Sequence, residues 1–240
     1  VDPVQALWVG AGLTKEEATA VSGITDIYDR KDFEAILSKY LQDSRAAIFG
    51  ALKYLYLDLE RRDFRHMPTL ANQFGSIMKE KYPNLIVGSL HPELGELRSL
   101  KQPLEIEAMK KAIEITKEGI EALYKAAKAG IKEHQLEAHY NFVLNQHGVK
   151  PSFGTIAANG SNATILHYRK NNALIEENNL ILFDLGVQKD MYCSDITRTF
   201  PISGRFTDRQ KAYYEIVLEA NKRSIEFLKP GVTFKEWNDF

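Results

Sequence analysis

Apolar residues in the second half of the chain recur at helical spacing over long stretches, with shorter β-prone runs between them. Ile106, Met109, Ile113, Ile120 and Leu123 fall on one stripe of a helix that Pro103 opens and Gly130 stops. Leu136, Tyr140 and Val143 give a second helix, over about 132–147, its inward face, and Gly148 ends it. A third runs from the capping sequence Thr207-Asp-Arg-Gln210 to about Leu228, and Thr233-Phe-Lys-Glu236 caps a fourth. Residues 179–201 hold two β-prone runs around Gln188-Lys189-Asp190, and Pro201 closes the second, as in a β-hairpin.

The first half alternates shorter elements. Thr14-Lys-Glu-Glu17 is a capping box before a short helix, and Lys31 to Tyr40 has helical spacing. Lys53 to Leu59 reads as a buried strand, residues 68–81 as a helix and Leu85-Ile-Val-Gly88 as a strand. Such alternation predicts a small α/β domain with a partly parallel sheet. Neither strand leads into a Gly-rich loop, so a nucleotide site has no support. The character of the chain changes at Leu97-Arg-Ser-Leu-Lys-Gln-Pro103, which divides it into domains 1–97 and 98–240, the second of α+β class.

The hairpin carries the first chemistry. With Lys189 and Asp190 as a two-residue loop, Asp184 and Asp195 stand directly opposite each other on one face. Their Cβ atoms would lie about 5 Å apart, with repulsion of roughly 3 kcal/mol at an effective dielectric near 20. Two ways of offsetting that cost stay open: a shared proton, or a bound cation. Hard oxygen ligands suit Mg, Ca or Mn, and a metal pair suits hydrolysis. A solvated hairpin is the plain alternative, and a one-residue slip would put the aspartates on opposite faces.

A second stretch, 151–168, contains the tight-turn pair Asn159-Gly160 and ends its apolar run at His167. A lone His there is more often a core residue, although beside a metal it could donate to a developing oxyanion. His134 and His139 are five residues apart and share no helix face; they read as structural or surface groups, and the isolated His66 and His91 as surface or capping residues.

Composition narrows the class. The 240 residues are 44% hydrophobic and 26% charged with net charge −1, ordinary for a globular protein. No run of Lys or Arg exceeds two residues, so nucleic acid has no electrostatic footprint. No apolar stretch approaches the roughly 18 residues of a membrane span, and no signal-peptide pattern opens the chain. The lone Cys193, read as a small packing residue, fits a reducing cytoplasm. The glycosylation sequons at Asn159 and Asn162 are discounted because no secretory signal is read. Without an initiator Met, and with its last helix barely begun, the chain reads as part of something longer.

Three segments, Asn159-Gly-Ser-Asn-Ala-Thr-Ile-Leu-His-Tyr168, Phe183-Asp-Leu-Gly186 and Ser194-Asp-Ile-Thr-Arg-Thr-Phe-Pro201, together resemble the pita-bread metallopeptidases, aminopeptidase P and prolidase. Leu97-Arg98 with Lys101 looks like the junction between that family's two domains. Residues 1–97 are similar to the latter part of its creatinase-like N-terminal domain, and 98–240 to the first half of its pita-bread catalytic domain. The resemblance implies two divalent ions, usually manganese, and release of the residue preceding proline at a peptide N-terminus. It makes Asp184 and Asp195 metal ligands, Asp195 bridging, and gives His167 the substrate or the tetrahedral intermediate. Thr197 becomes a side chain that orients a ligand, and Arg198 a partner for an acidic neighbour. Phe153 stands where several members carry a pocket aromatic with a hydroxyl. Trp8 falls in a region that forms subunit contacts in family oligomers, with core packing as the alternative.

One His and two Glu ligands of the family have no positions here. Two aspartates hold metal weakly, so the expectation is a chain inactive alone whose parent is an enzyme. Three alternatives remain on the same fold: an Xaa-Pro dipeptidase, a non-catalytic peptide-binding module and a metal-free creatinase-like hydrolase. Methionine aminopeptidase fits less well, because it normally lacks the N-terminal domain.

Overall fold

The computed structural model describes residues 3–42 and 52–240, in two compact units, Val1–Leu100 and Lys101–Phe240. The first contains α1 (Pro3–Val9), α2 (Lys15–Ser22), a 3-10 turn leading into α3 (Phe33–Leu41), β1 (Tyr54–Leu57), α4 (Leu70–Lys81), β2 (Ile86–Ser89) and α5 (His91–Ser99). Strands β1 and β2 are parallel, with Tyr54 beside Ile86 and Leu57 beside Ser89. Leu41, Met78 and Leu85 form a small core, supported by Leu37, Leu55, Phe74 and Val87.

Strand β1 is not the buried strand its composition suggests. Leu55 and Leu57 turn toward the core, but Tyr54 and Tyr56 on the other face are 58% and 54% exposed, because α4 covers one side only. The domain junction is itself helical as far as Ser99. His91 pairs with Asp58 and His66 with Asp63, both at the surface. Trp8 is 85% exposed on α1, which excludes core packing within this unit.

The second unit contains α6 (Pro103–Ala126), α7 (Glu133–Gln146), β3 (Lys150–Pro151), β4 (Ile156–Asn159), a 3-10 turn (Gly160–Thr164), β5 (Leu180–Leu185), β6 (Val187–Lys189), β7 (Tyr192–Cys193), β8 (Ile196–Pro201), α8 (Asp208–Phe227) and α9 (Phe234–Asp239). Its strands form two antiparallel sheets, in the orders β3-β6-β7 and β4-β5-β8. Helices α6 and α7 close one side of a core that includes Ile181, Phe183, Leu185 and Val187. Among the described residues no helix is long and apolar enough to cross a membrane.

The inward stripe of α6 is rotated from the predicted one. Ala112, Ile115, Thr116, Gly119, Ile120 and Leu123 are buried, whereas Ile106 and Ile113 are each 42% exposed. Small residues set this contact: a Cβ on Gly119 would stand 2.4 Å from the Tyr140 ring. On α7, Leu144 takes the buried place expected of Val143.

The hairpin register also differs from prediction. Its turn is Asp190-Met191, with φ of 49° and 68°, and Lys189 pairs with Tyr192. Asp184 therefore faces Thr197, while Asp195 lies in the break between β7 and β8. Register is set inside the core, where the buried Ser194 donates its N–H to the Val187 carbonyl at 2.9 Å. Ser194 also accepts the Val187 N–H on Oγ at 2.8 Å. The turn complies with that anchor even though a left-handed Met is uncommon. The shift is by two positions, so both aspartates and Thr197 keep to one side of the hairpin.

Candidate metal centre

Strand β5 alternates, with Ile181, Phe183 and Leu185 buried in the core and Asp184 half-buried on the opposite face. Thr197 on β8 donates Oγ1–H to Asp184 Oδ1 at 3.0 Å. Burial is the main reason the Asp184 carboxyl titrates above the ordinary carboxylate range. The Thr197 hydrogen bond opposes it, the charge and hydrogen bonding of Asp195 add to it, and the His167 imidazole pulls the other way. Three side chains that the sequence singled out thus act on a fourth, Asp184.

Asp195 is held through its neighbour. Ser194 Oγ lies 2.6 Å from Thr116 Oγ1 on α6, and Thr116 in turn donates to the Ala112 carbonyl at 2.9 Å. Ser152 donates Oγ–H to the Ser194 carbonyl at 2.9 Å and its own N–H to the Gly186 carbonyl at 3.0 Å. Gly186 is required where these segments meet: a Cβ there would lie 1.9 Å from the Ser194 carbonyl oxygen. The backbone beneath the two aspartates is therefore fixed by groups that never touch them.

His167 is exposed, and its neighbour Tyr168, only 7% exposed, takes the core position expected of the histidine. Phe153 is half-buried three residues before Ile156, whose Cα pairs with Asp184. Arg198 donates Nη1–H to the Thr197 carbonyl at 2.8 Å, in place of the acidic partner expected for it. Cys193 is exposed and is not a packing residue. Asn159 is buried with its amide on the Leu174 carbonyl, so that sequon is closed; the amide of Asn162 is engaged by Glu133 and Tyr168. His134 packs its ring Nδ1 3.0 Å from the Asn171 carbonyl, a structural contact.

One residue of consequence escaped the sequence. Glu133, at the first turn of α7, is fully buried and accepts four hydrogen bonds from the segment that carries His167. An acidic residue at a helix start ordinarily signals capping, and nothing local says that this one points inward.

Two adjacent carboxylates, the half-buried Asp184 oriented by the Thr197 hydroxyl and the exposed Asp195, are hard oxygen donors suited to a divalent cation. Among the described residues no group of three or more His, Cys, Asp or Glu side chains comes together to hold an ion. The pair fits part of a coordination sphere and does not complete one.

Comparison with known proteins identifies the family. Residues 107–239 match the family model for Metallopeptidase family M24. The Xaa-Pro aminopeptidase of Haemophilus influenzae is 33% identical over 240 residues, which cover 99% of this chain and 52% of that protein. A Bacillus anthracis structure described as a candidate aminopeptidase P superposes with a TM-score of 0.91 at 42% identity, covering 99% of this chain and 56% of that one. The Pseudomonas aeruginosa aminopeptidase PepP gives 0.83 at 31% identity, covering 99% and 53%. The chain spans about half the length of the curated relatives it matches. With the family model on most of its second unit and these structures along its length, the chain belongs to metallopeptidase family M24.

Proposed function

We propose that the protein acts as a divalent-metal aminopeptidase that releases the residue preceding proline from peptide N-termini. The observation that carries the proposal is the Asp184–Asp195 pair, set side by side with Thr197 hydrogen-bonded to Asp184. In this assignment Asp184 and Asp195 would hold divalent metal, most simply manganese. When bound, such ions supply Lewis acidity toward the scissile carbonyl and activate water near neutral pH. Thr197 occupies one oxygen of Asp184 and so fixes how the carboxylate is presented. The exposed His167 is free to donate to the substrate carbonyl as negative charge develops on it. Phe153 contributes a wall of the substrate pocket.

The ligands that complete the sphere come, in this proposal, from outside the described residues, and the 240-residue chain alone is inactive. A single cysteine suits a reducing cytoplasm. We place the protein there as a homo-oligomer, with the exposed Trp8 at a subunit contact.

The test is Asp184→Asn in the intact protein. Bound manganese and cleavage of an Xaa-Pro-Yaa tripeptide should both fall, activity by at least about 100-fold. Unchanged metal content and turnover would overturn the assignment and favour a peptide-binding module. Preference for an Xaa-Pro dipeptide over the tripeptide would indicate a dipeptidase instead.

A further inference from the structure

The largest unexplained polar group is Glu133. It lies at the N-terminal end of α7, is 0% exposed and sits among core residues, and among the described residues no Lys or Arg pairs with it. Burying a carboxyl group without compensating hydrogen bonds is costly. Here the compensation comes from one stretch of chain. Oε1 accepts the Asn159 N–H at 2.7 Å and the Asn162 side-chain amide at 3.2 Å. Oε2 accepts the Tyr168 hydroxyl at 2.8 Å and the Ala173 N–H at 2.9 Å. Each oxygen thus takes two donors, its full ordinary capacity.

These four donors bracket His167. Asn159 ends β4, Asn162 lies in the 3-10 turn, Tyr168 follows the histidine and Ala173 lies on the returning segment. The same segment is tied to α7 again by the Glu133 N–H to the Ala173 carbonyl and by the His134 N–H to the Asn171 carbonyl. The Asn171 amide donates to Glu137 Oε2 at 2.9 Å and to the Thr155 carbonyl at 2.8 Å. A loop of some ten residues with an exposed imidazole would otherwise have many conformations, each a loss of positioning.

Given the peptidase activity proposed above, we infer that Glu133 is a positioning residue: its carboxylate gathers Asn159, Asn162, Tyr168 and Ala173 and so aims His167 at the Asp184–Asp195 pair. Glu133 acts through Tyr168 and the loop backbone and touches no reacting group. A side chain that accepts at both ends is needed. In Glu133→Gln the amide nitrogen must face either a backbone N–H that cannot accept or the pair of donors at Oε1. Tyr168→Phe is the gentler change, since it removes one donor from the carboxylate and leaves the packing of the ring.

The experiment combines kinetics with amide hydrogen exchange on the intact, manganese-loaded protein. Tyr168→Phe should lower kcat roughly 10-fold and Glu133→Gln up to roughly 100-fold, with KM within about twofold. Manganese content should be unchanged in both. Exchange should accelerate across residues 160–173 and stay constant in α6, which contributes no group to the network. Unchanged kcat in Tyr168→Phe, or faster exchange spread over α6 and α7 alike, would overturn the inference and leave Glu133 a general core residue. Exchange is read whether or not peptide is cleaved. An inactive parent with localised exchange would therefore refute the peptidase assignment while retaining the loop anchor.

Discussion

A Cβ added to Gly75, on α4 of the first unit, would meet side-chain carbons of Leu57, Val87 and Leu59, at 3.3, 3.4 and 3.7 Å. One added to Gly186, in the second unit, would stand 1.9 Å from a backbone oxygen. The contrast extends to polar groups. The first unit keeps its His–Asp pairs at the surface, whereas the second buries Glu133 in one set of hydrogen bonds and Thr116 with Ser194 in another. Flexible side-chain ends can yield by a few tenths of an ångström; backbone packed on backbone cannot. Among the described glycines only Gly186, which adjoins the strand carrying Asp184, meets backbone in this way.

Gly186→Ala should break this contrast most severely. The added methyl displaces the Ser194 carbonyl, with an expected cost of at least about 3 kcal/mol and little soluble protein, read by denaturant unfolding. Gly119→Ala comes next, at about 1–3 kcal/mol, because the added Cβ would lie 2.4 Å from the Tyr140 ring, which can move only by disturbing the α6–α7 contact. Gly75→Ala is its control. There a helix-favouring residue meets flexible neighbours, and stability should stay within about 1 kcal/mol of the parent. Equal losses at positions 75 and 119 would dissolve the distinction between the units.

Asp184→Asn should act in the opposite direction in metal-free protein. The carboxyl of Asp184 is raised above its unfolded value, chiefly by burial, so the folded state favours its protonated form. Stability from that group is complete below the unfolded carboxylate value and is lost as pH climbs through the raised one. Asparagine carries no such loss and can still accept from Thr197. At pH 7 with chelator the variant should be up to about 1 kcal/mol more stable than the parent, with the gain vanishing near pH 3. On the metal assignment proposed above, excess manganese should reverse the order at pH 7, because only the parent keeps both proposed ligands. A gain that persisted at pH 3 would mean that charge is not its source. Tyr54→Thr should do least. It changes a 58% exposed residue of β1 for another strand-former, and its effect should stay within about 0.5 kcal/mol by thermal melting.

Helix starts were legible because caps are local. The boxes at Thr14, Thr207 and Thr233 all form as read, each threonine accepting the N–H three residues on. The parallel pairing of β1 with β2 followed from alternation. The stripe of α6 was misread because apolar size suggested Ile106 and Ile113, while the actual contact selects small residues that admit Tyr140. The apolar neighbours of Cys193 and His167 in sequence suggest burial, but sequence neighbours do not report exposure, and both side chains are exposed. Glu133 was invisible because its partners lie 26 to 40 residues away.

By itself, the sequence determined the starts of its capped helices and the motifs that place this chain in its family. It also put Asp184, Asp195 and Thr197 on one side of a hairpin, since any register shift by two preserves facing. Tertiary structure decided which residue Asp184 faces, where the turn falls and which way Glu133 points. Those outcomes depend on the Ser194–Thr116 anchor, the space left by Gly186 and the donors that converge on one buried carboxylate. Each is a contact between segments distant in the chain, and local spacing carries no information about it.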